Sequence, residues 1–161
     1  MTTLKVGRIL LVEDTDIEAE AVERALTTVA LEERLHRVDL AQDAWNYLIQ
    51  EHGNAEESAC VLLLDLNLPD QHGLDLLESI RANPGLCSLP VFILTTSHTP
   101  EDLERAHQHN VAGFFLKESS RNYDDLAQFL KLYLQLNVFP ASSISRSMTE
   151  TMDGEDTLSE D

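Results

Sequence analysis

Short apolar runs alternate along this chain with stretches in which apolar residues recur every three or four positions. Runs within Leu4 to Val12, Leu35 to Leu40, Cys60 to Asp65, Leu89 to Leu94 and Val111 to Leu116 predict five strands. Val61 to Leu64 is apolar at every position, as expected for a strand buried on both faces of a parallel sheet. Between the runs, Ile17 to Val29 carries Ala19, Val22, Leu26 and Val29 on one helical face, capped by Thr15 or Asp16. Ala41 to Glu51 repeats around Ala44, Trp45, Leu48 and Ile49, and His52-Gly53-Asn54 ends it. A third helix begins near Leu74 and stops at Asn83-Pro84-Gly85. A fourth starts at Pro100, a first-turn residue, and runs to about His109. The last covers Asn122 to Val138. Five strands alternating with five helices predict an α/β fold with a parallel sheet, helices on both faces and right-handed crossovers.

The last helix has more apolar residues than one face needs. Leu126, Phe129, Leu130, Tyr133, Leu134 and Val138 form a stripe for its own core. Leu132, Leu136 and Phe139 form a neighbouring stripe at i, i+4 and i+7, and a second contiguous stripe predicts an interface, here a homodimer.

The chain has 161 residues, enough for one domain with a real core, expected over residues 4–138. Residues 139–161 are rich in Ser, Thr, Glu and Asp and are expected to be a disordered acidic tail. Lys and Arg total 11 against 29 Asp and Glu, a net charge of -18, which argues against direct nucleic-acid binding. No apolar run is long enough to span a bilayer and no signal peptide is evident, so a cytoplasmic protein without a membrane partner is expected. Cys60 and Cys87 then read as reduced thiols.

All strands of a parallel sheet end on the same rim, where open α/β sheets build their sites. Here that brings Glu13 and Asp14, Asp65, Thr95 and Lys117 together from four strands. Three carboxylates in one pocket repel, and some would take up protons unless a cation joined them. A hard divalent ion answers this; Mg²⁺ fits, because it accepts one or two carboxylates, keeps waters and bridges to phosphate oxygens. Asp65 would then be a carboxylate nucleophile towards phosphorus, with Thr95 and Lys117 stabilising charge on the transferred group.

The residues Leu10-Leu-Val-Glu13-Asp14, Leu62-Leu-Leu-Asp65-Leu-Asn67-Leu-Pro69-Asp70-x-x-Gly73, Phe92-Ile-Leu-Thr95-Thr-Ser and Gly113-Phe114-Phe-Leu-Lys117 resemble the response-regulator receiver domain of two-component signalling. Spacing agrees, with 30 positions from Asp65 to Thr95 and 22 from Thr95 to Lys117. The resemblance implies a flavodoxin-like, doubly wound five-stranded sheet in the order 2-1-3-4-5. It implies that Asp65 is the phosphoacceptor for a sensor histidine kinase and that the chain catalyses only its own phosphorylation and dephosphorylation. Glu13, Asp14, Asp65 and the Asn67 backbone carbonyl are the implied Mg²⁺ ligands. Thr95 and Lys117 are the implied phosphate contacts, and Phe114 the switch aromatic. One departure stands out: receivers commonly place Pro after this lysine, and here Glu118 follows. Leu94-Thr-Thr-Ser-His98 and Lys117-x-Ser-x-Arg-Asn122 resemble the small regulators of cyanobacterial phytochromes and bacteriophytochromes, which makes a bacteriophytochrome kinase the expected partner. No output domain follows the receiver pattern, so signalling is expected to pass through protein contacts, including a downstream phosphorelay protein.

Other readings fare less well. A haloacid-dehalogenase phosphatase needs a second Asp where Asn67 stands. No Gly-rich nucleotide motif occurs. His107 and His109 are two apart on a helix and do not share a face. Beyond Asp14, the acidic run to Glu23 reads as a solvated helix face. The alternative from another class is a phosphorylation-independent interaction module on a receiver fold.

Overall fold

The computed structural model describes residues 7–54, 56–96, 99–117 and 123–136. In chain order the elements are β1 (Arg8–Val12), α1 (Asp16–Thr27), β2 (Leu35–Val38), α2 (Ala41–Gln50), β3 (Ala59–Asp65), α3 (Gly73–Ala82), β4 (Val91–Thr95), α4 (Pro100–Gln108), β5 (Gly113–Leu116) and α5 (Asp124–Leu136). Neighbouring strands pair in parallel, in the order β2-β1-β3-β4-β5. The strands buried at nearly every position, β1, β3 and β4, take the centre, and the half-buried β2 and β5 take the edges.

Strand alternation divides the core into two layers. Ile9, Leu11, Val61, Leu63, Phe92 and Leu94 face α1 and α5, where Val22, Leu26, Leu126 and Leu130 meet them. Leu10, Val12, Leu62, Leu64, Val91 and Ile93 face the other way, against Ala44, Leu48, Leu74, Leu77 and Ile80. Burying one such leucine is worth about 1.5–3 kcal/mol, so each layer supplies far more than any single polar contact.

The helix starts are fixed by specific donors and acceptors. Thr99 accepts from the Asp102 N–H at 3.0 Å, ahead of Pro100. His72 Nδ1 accepts from the Leu74 N–H at 3.2 Å. The start of α2 is capped from afar: the two Asp70 carboxylate oxygens accept from the N–H groups of Ala41 and Gln42, each at 3.0 Å. Gly73 is required by contact. A β-carbon there would lie 2.4 Å from the Asp65 carbonyl oxygen and 2.9 Å from Leu66 Cα, so only glycine lets α3 begin against the end of β3.

Three expectations need correction. Ile49 is 45% exposed, because α2 turns Ala41, Ala44 and Leu48 to the sheet and Ile49 falls beyond that face. Phe129 is 42% exposed, because α5 buries Leu126, Ala127, Leu130 and Leu134 instead. Its ring caps the edge of the layer, 5.6 Å from Phe92 and edge-on to it. Thr15 stands at the N-cap of α1 but its side chain makes no capping bond. Leu132 and Leu136 of the second stripe are 55% and 79% exposed. Val138, Phe139, the acidic tail and the segment 118–122 after Lys117 lie outside the described residues. Cys60 is buried, Cys87 exposed, and both are free thiols. Among the described residues no helix is long and apolar enough to cross a membrane.

Candidate functional site

Register brings the site together. Val12 pairs with Leu64, so Glu13 stands level with Asp65. Asp65 pairs with Leu94, and Thr95 follows one position on. Thr95 pairs with Leu116, and Lys117 comes next, its N–H donating to the Thr95 carbonyl at 2.8 Å. Four residues distant in sequence therefore occupy one short arc of the sheet rim. Thr95 is fully buried, Glu13 is 3% and Asp65 6% exposed, while Asp14 faces solvent.

Lys117 Nζ donates to Glu13 Oε1 at 2.5 Å and lies 3.5 Å from Asp65 Oδ2. Asp65 Oδ1 accepts from the Asn67 N–H at 3.2 Å, which orients the carboxylate. One carboxylate oxygen each from Glu13, Asp14 and Asp65 fall within 4.8 Å of one another. One ammonium cannot neutralise three carboxylates. Burial, helped by the charge of Asp65, pushes the Glu13 carboxyl up to about 7 despite the bond from Lys117. For Lys117, burial works against the ammonium, but the Glu13 bond and the charges of Asp65 and Glu13 outweigh it and hold its pKa raised. The two directions agree physically: the lysine is divided between two acids, so it gains from both and satisfies neither fully. An all-oxygen cluster with surplus negative charge and one solvent-facing member fits a hard divalent ion such as Mg²⁺.

The expected contacts have distinct placements. Asn67 is exposed at the start of the turn after β3 and bridges to His72. Phe114 is half-buried on β5, paired with Ile93 and packed on the α3 side of the core. A cleft of about 390 Å³ borders the site, lined by Asp14, Asn67, Pro69, Asp70 and His72 among others.

Two supports were not apparent from the sequence. Arg37 of β2 donates from Nε to the Glu13 carbonyl at 3.0 Å and from Nη1 to Asp16 at 2.8 Å, and Nη2 approaches Asp39 at 3.4 Å. It braces the turn that carries Glu13 and Asp14 from both ends. The acidic run beyond Asp14 is not only a solvated face, because Glu18 accepts a hydrogen bond from the hydroxyl of buried Tyr123. A lone basic residue on an edge strand and a tyrosine at a helix start carry no sequence signal for either role.

Residues 9–131 match the response regulator receiver domain. The chain belongs to this family. Response regulator Rcp1 of Synechocystis sp. (strain ATCC 27184 / PCC 6803 / Kazusa) is 34% identical over 142 residues, covering 83% of this chain and 93% of that protein. The crystal structure of the Mn²⁺-bound form of Rcp1 superposes with a TM-score of 0.67 at 32% identity, over 83% of this chain and 98% of that one. The phosphorylated cyanobacterial phytochrome response regulator RcpA gives a TM-score of 0.69 at 30% identity, over 83% and 97%. The receiver described here is thus a two-component response-regulator domain with phytochrome-associated relatives, and its sheet order is the flavodoxin-like one of the family. Receiver domains pair with sensor histidine kinases, bind divalent metal at an acidic site and act as phosphoacceptors in general.

Proposed function

We propose that this receiver takes a phosphoryl group onto Asp65 from the phosphohistidine of a sensor histidine kinase. An Asp65 carboxylate oxygen forms the new O–P bond, the P–N bond to the imidazole breaks, and the imidazole nitrogen keeps the electron pair and takes up a proton. The observation that carries this reading is Lys117, directly after β5, poised between Glu13 and Asp65, at 2.5 and 3.5 Å. Glu13, Asp14, Asp65 and the Asn67 carbonyl are the residues to hold Mg²⁺, which when bound supplies positive charge for the phosphoryl oxygens. Lys117 then leaves Glu13 for the phosphoryl group, Thr95 offers its hydroxyl, and Phe114 responds from the adjoining strand. Rcp1 solved with Mn²⁺ and RcpA solved in phosphorylated form support the chemistry by analogy.

The likeness to RcpA, a cyanobacterial phytochrome response regulator, favours a phytochrome-type kinase as donor, and the cytoplasm is the compartment in this reading. Residues 4–138 are the signalling unit in this reading, residues 139–161 a solubilising appendage, and a phosphorelay protein a further partner. The exposed Leu132 and Leu136 favour output through a homodimer, with Phe139 extending the same stripe in sequence.

Acetyl phosphate with Mg²⁺ tests the acceptor. Intact-mass spectrometry is expected to show one phosphoryl group on the wild type and none on Asp65→Asn, which keeps the shape and loses the nucleophile. Equal labelling of both proteins would move the acceptor elsewhere.

A further inference from the structure

The Asn67 carbonyl is the one backbone ligand of the proposed metal site, and it sits on the loop between β3 and α3. The base of that loop is closed. The Gly73 N–H donates to the Leu66 carbonyl at 2.8 Å, and Asn67 pairs with His72 in an isolated antiparallel bridge. The tip has little burial to fix it. Asn67, Pro69 and Asp70 are exposed, and Leu68 is half-buried against the core layer of α2 and α3. Exposed loops keep conformational freedom unless something ties them down.

Asp70 ties this one to a distant element. Its two carboxylate oxygens accept from the Ala41 and Gln42 N–H groups of α2, each at 3.0 Å. Those donors have no partner within their own helix, and the helix dipole favours an anion in front of them. Burial works against the Asp70 charge, but the N–H groups of Gln42 and Ala41 outweigh it and hold the pKa low, so the bonds are charge-assisted. The anchor is firm on the other side as well: Ala41 and Ala44 are fully buried and Leu48 nearly so.

The path from this tie to the carbonyl is short and stiff. Asp70 stands three positions after Asn67, with Leu68 and Pro69 between. The proline ring locks its own φ and restricts the residue before it to extended backbone, so few soft torsions separate the two groups. We infer that Asp70 is a positioning residue acting through the Asn67 carbonyl: its paired bonds to the start of α2 set where the loop presents that oxygen to the metal. This inference rests on the reading of the Asn67 carbonyl as a Mg²⁺ ligand. Asp70 also lines the cleft beside Asp14, where its charge alone would attract a cation. Substitution separates the two effects. By linkage, a tie that strengthens Mg²⁺ binding by some factor is itself strengthened by Mg²⁺ by the same factor.

The test measures Mg²⁺ affinity of the full chain by isothermal titration calorimetry, without phosphodonor. Asp70→Ala is expected to weaken binding about tenfold. Asp70→Asn loses the same charge but keeps a capping acceptor oxygen, and is expected to stay within about twofold of wild type. Amide hydrogen exchange by NMR reads the reciprocal effect in the wild type. Saturating Mg²⁺ should slow exchange of the Ala41 and Gln42 N–H groups about tenfold, and in Asp70→Ala that slowing should vanish. If Asp70→Ala fails to fold, the wild-type exchange measurement decides alone. Wild-type affinity in Asp70→Ala, an Asp70→Asn affinity as low as that of Asp70→Ala, or Ala41 and Gln42 exchange unmoved by Mg²⁺ would each overturn this inference and leave the site of Glu13, Asp14 and Asp65 standing. A wild type that binds no Mg²⁺ overturns it together with the metal reading.

Discussion

Raising the pH in the absence of divalent metal is expected to weaken this fold, and Glu13 is the side chain responsible. Its carboxyl is raised from an ordinary 4.5 to about 7, by burial first and then by Asp65. The sign follows from linkage: a group that holds its proton more tightly when folded stabilises the fold below its unfolded pKa, and that contribution is lost as pH rises through the folded pKa. The window therefore runs from about pH 4.5 to just above 7. At 1.36 kcal/mol for each tenfold change in proton affinity, the ceiling is about 3 kcal/mol. Glu13→Gln removes the titration and keeps the shape, so the difference between wild type and variant isolates this one group. Other carboxylates are held low by their partners, Glu57 by Arg8 and Glu78 by Arg105, and they titrate with the opposite sign in both proteins. The assay is urea unfolding in EDTA, followed by circular dichroism at steps from pH 4.5 to 8. With a urea slope of about 1–3 kcal/mol/M, the wild-type midpoint should fall relative to Glu13→Gln by about 1–3 M across the window. Mg²⁺ at pH 8 should restore most of the loss, since a ligand at a hundred times its Kd adds about 2.7 kcal/mol. A wild-type curve parallel to that of Glu13→Gln would show that Lys117 alone neutralises Glu13, and the charge argument for a metal would fail with it.

Asp14→Asn should weaken Mg²⁺ binding by about tenfold or more, read by metal titration, while leaving the melting temperature unchanged or higher, because the variant relieves repulsion with Glu13 and Asp65. Asp70→Ala should cost about 1 kcal/mol in chemical denaturation by uncapping α2. Despite some burial, the N–H groups of Gln42 and Ala41 hold the Asp70 pKa low, so its contribution should be present at neutral pH and lost in acid as pH falls through that depressed value. Leu132→Glu with Leu136→Glu should give a folded monomer by light scattering, whereas removal of residues 147–161 should leave the dimer intact. A wild type that is monomeric at tens of micromolar, the approximate range for a weak interface, with and without acetyl phosphate, refutes the dimer.

The order of strands and helices was legible along the chain, because each rests on local geometry. A run such as Val61–Leu64 or the three- and four-residue steps of Leu126, Leu130 and Leu134 report their own period and need no partner. The rim positions of Glu13, Asp65, Thr95 and Lys117 were legible for the same reason, because residues at or directly after the ends of parallel strands must reach one rim of the sheet. What each of them bonds to was a matter of tertiary structure. Glu13 and Lys117 meet across 104 positions and Tyr123 and Glu18 across 105, while Asp70 caps a helix that begins 29 positions earlier. Hydrophobic period also left the margins of helix faces undecided. Ile49 and Phe129 stand at such margins, and the sheet accepted their neighbours Leu48 and Leu130 instead. The same holds for Glu13, whose residue type and position could be read directly. Its raised pKa arises only once β1, β3 and β5 enclose it, because desolvation is a property of the packed rim and not of any segment of chain.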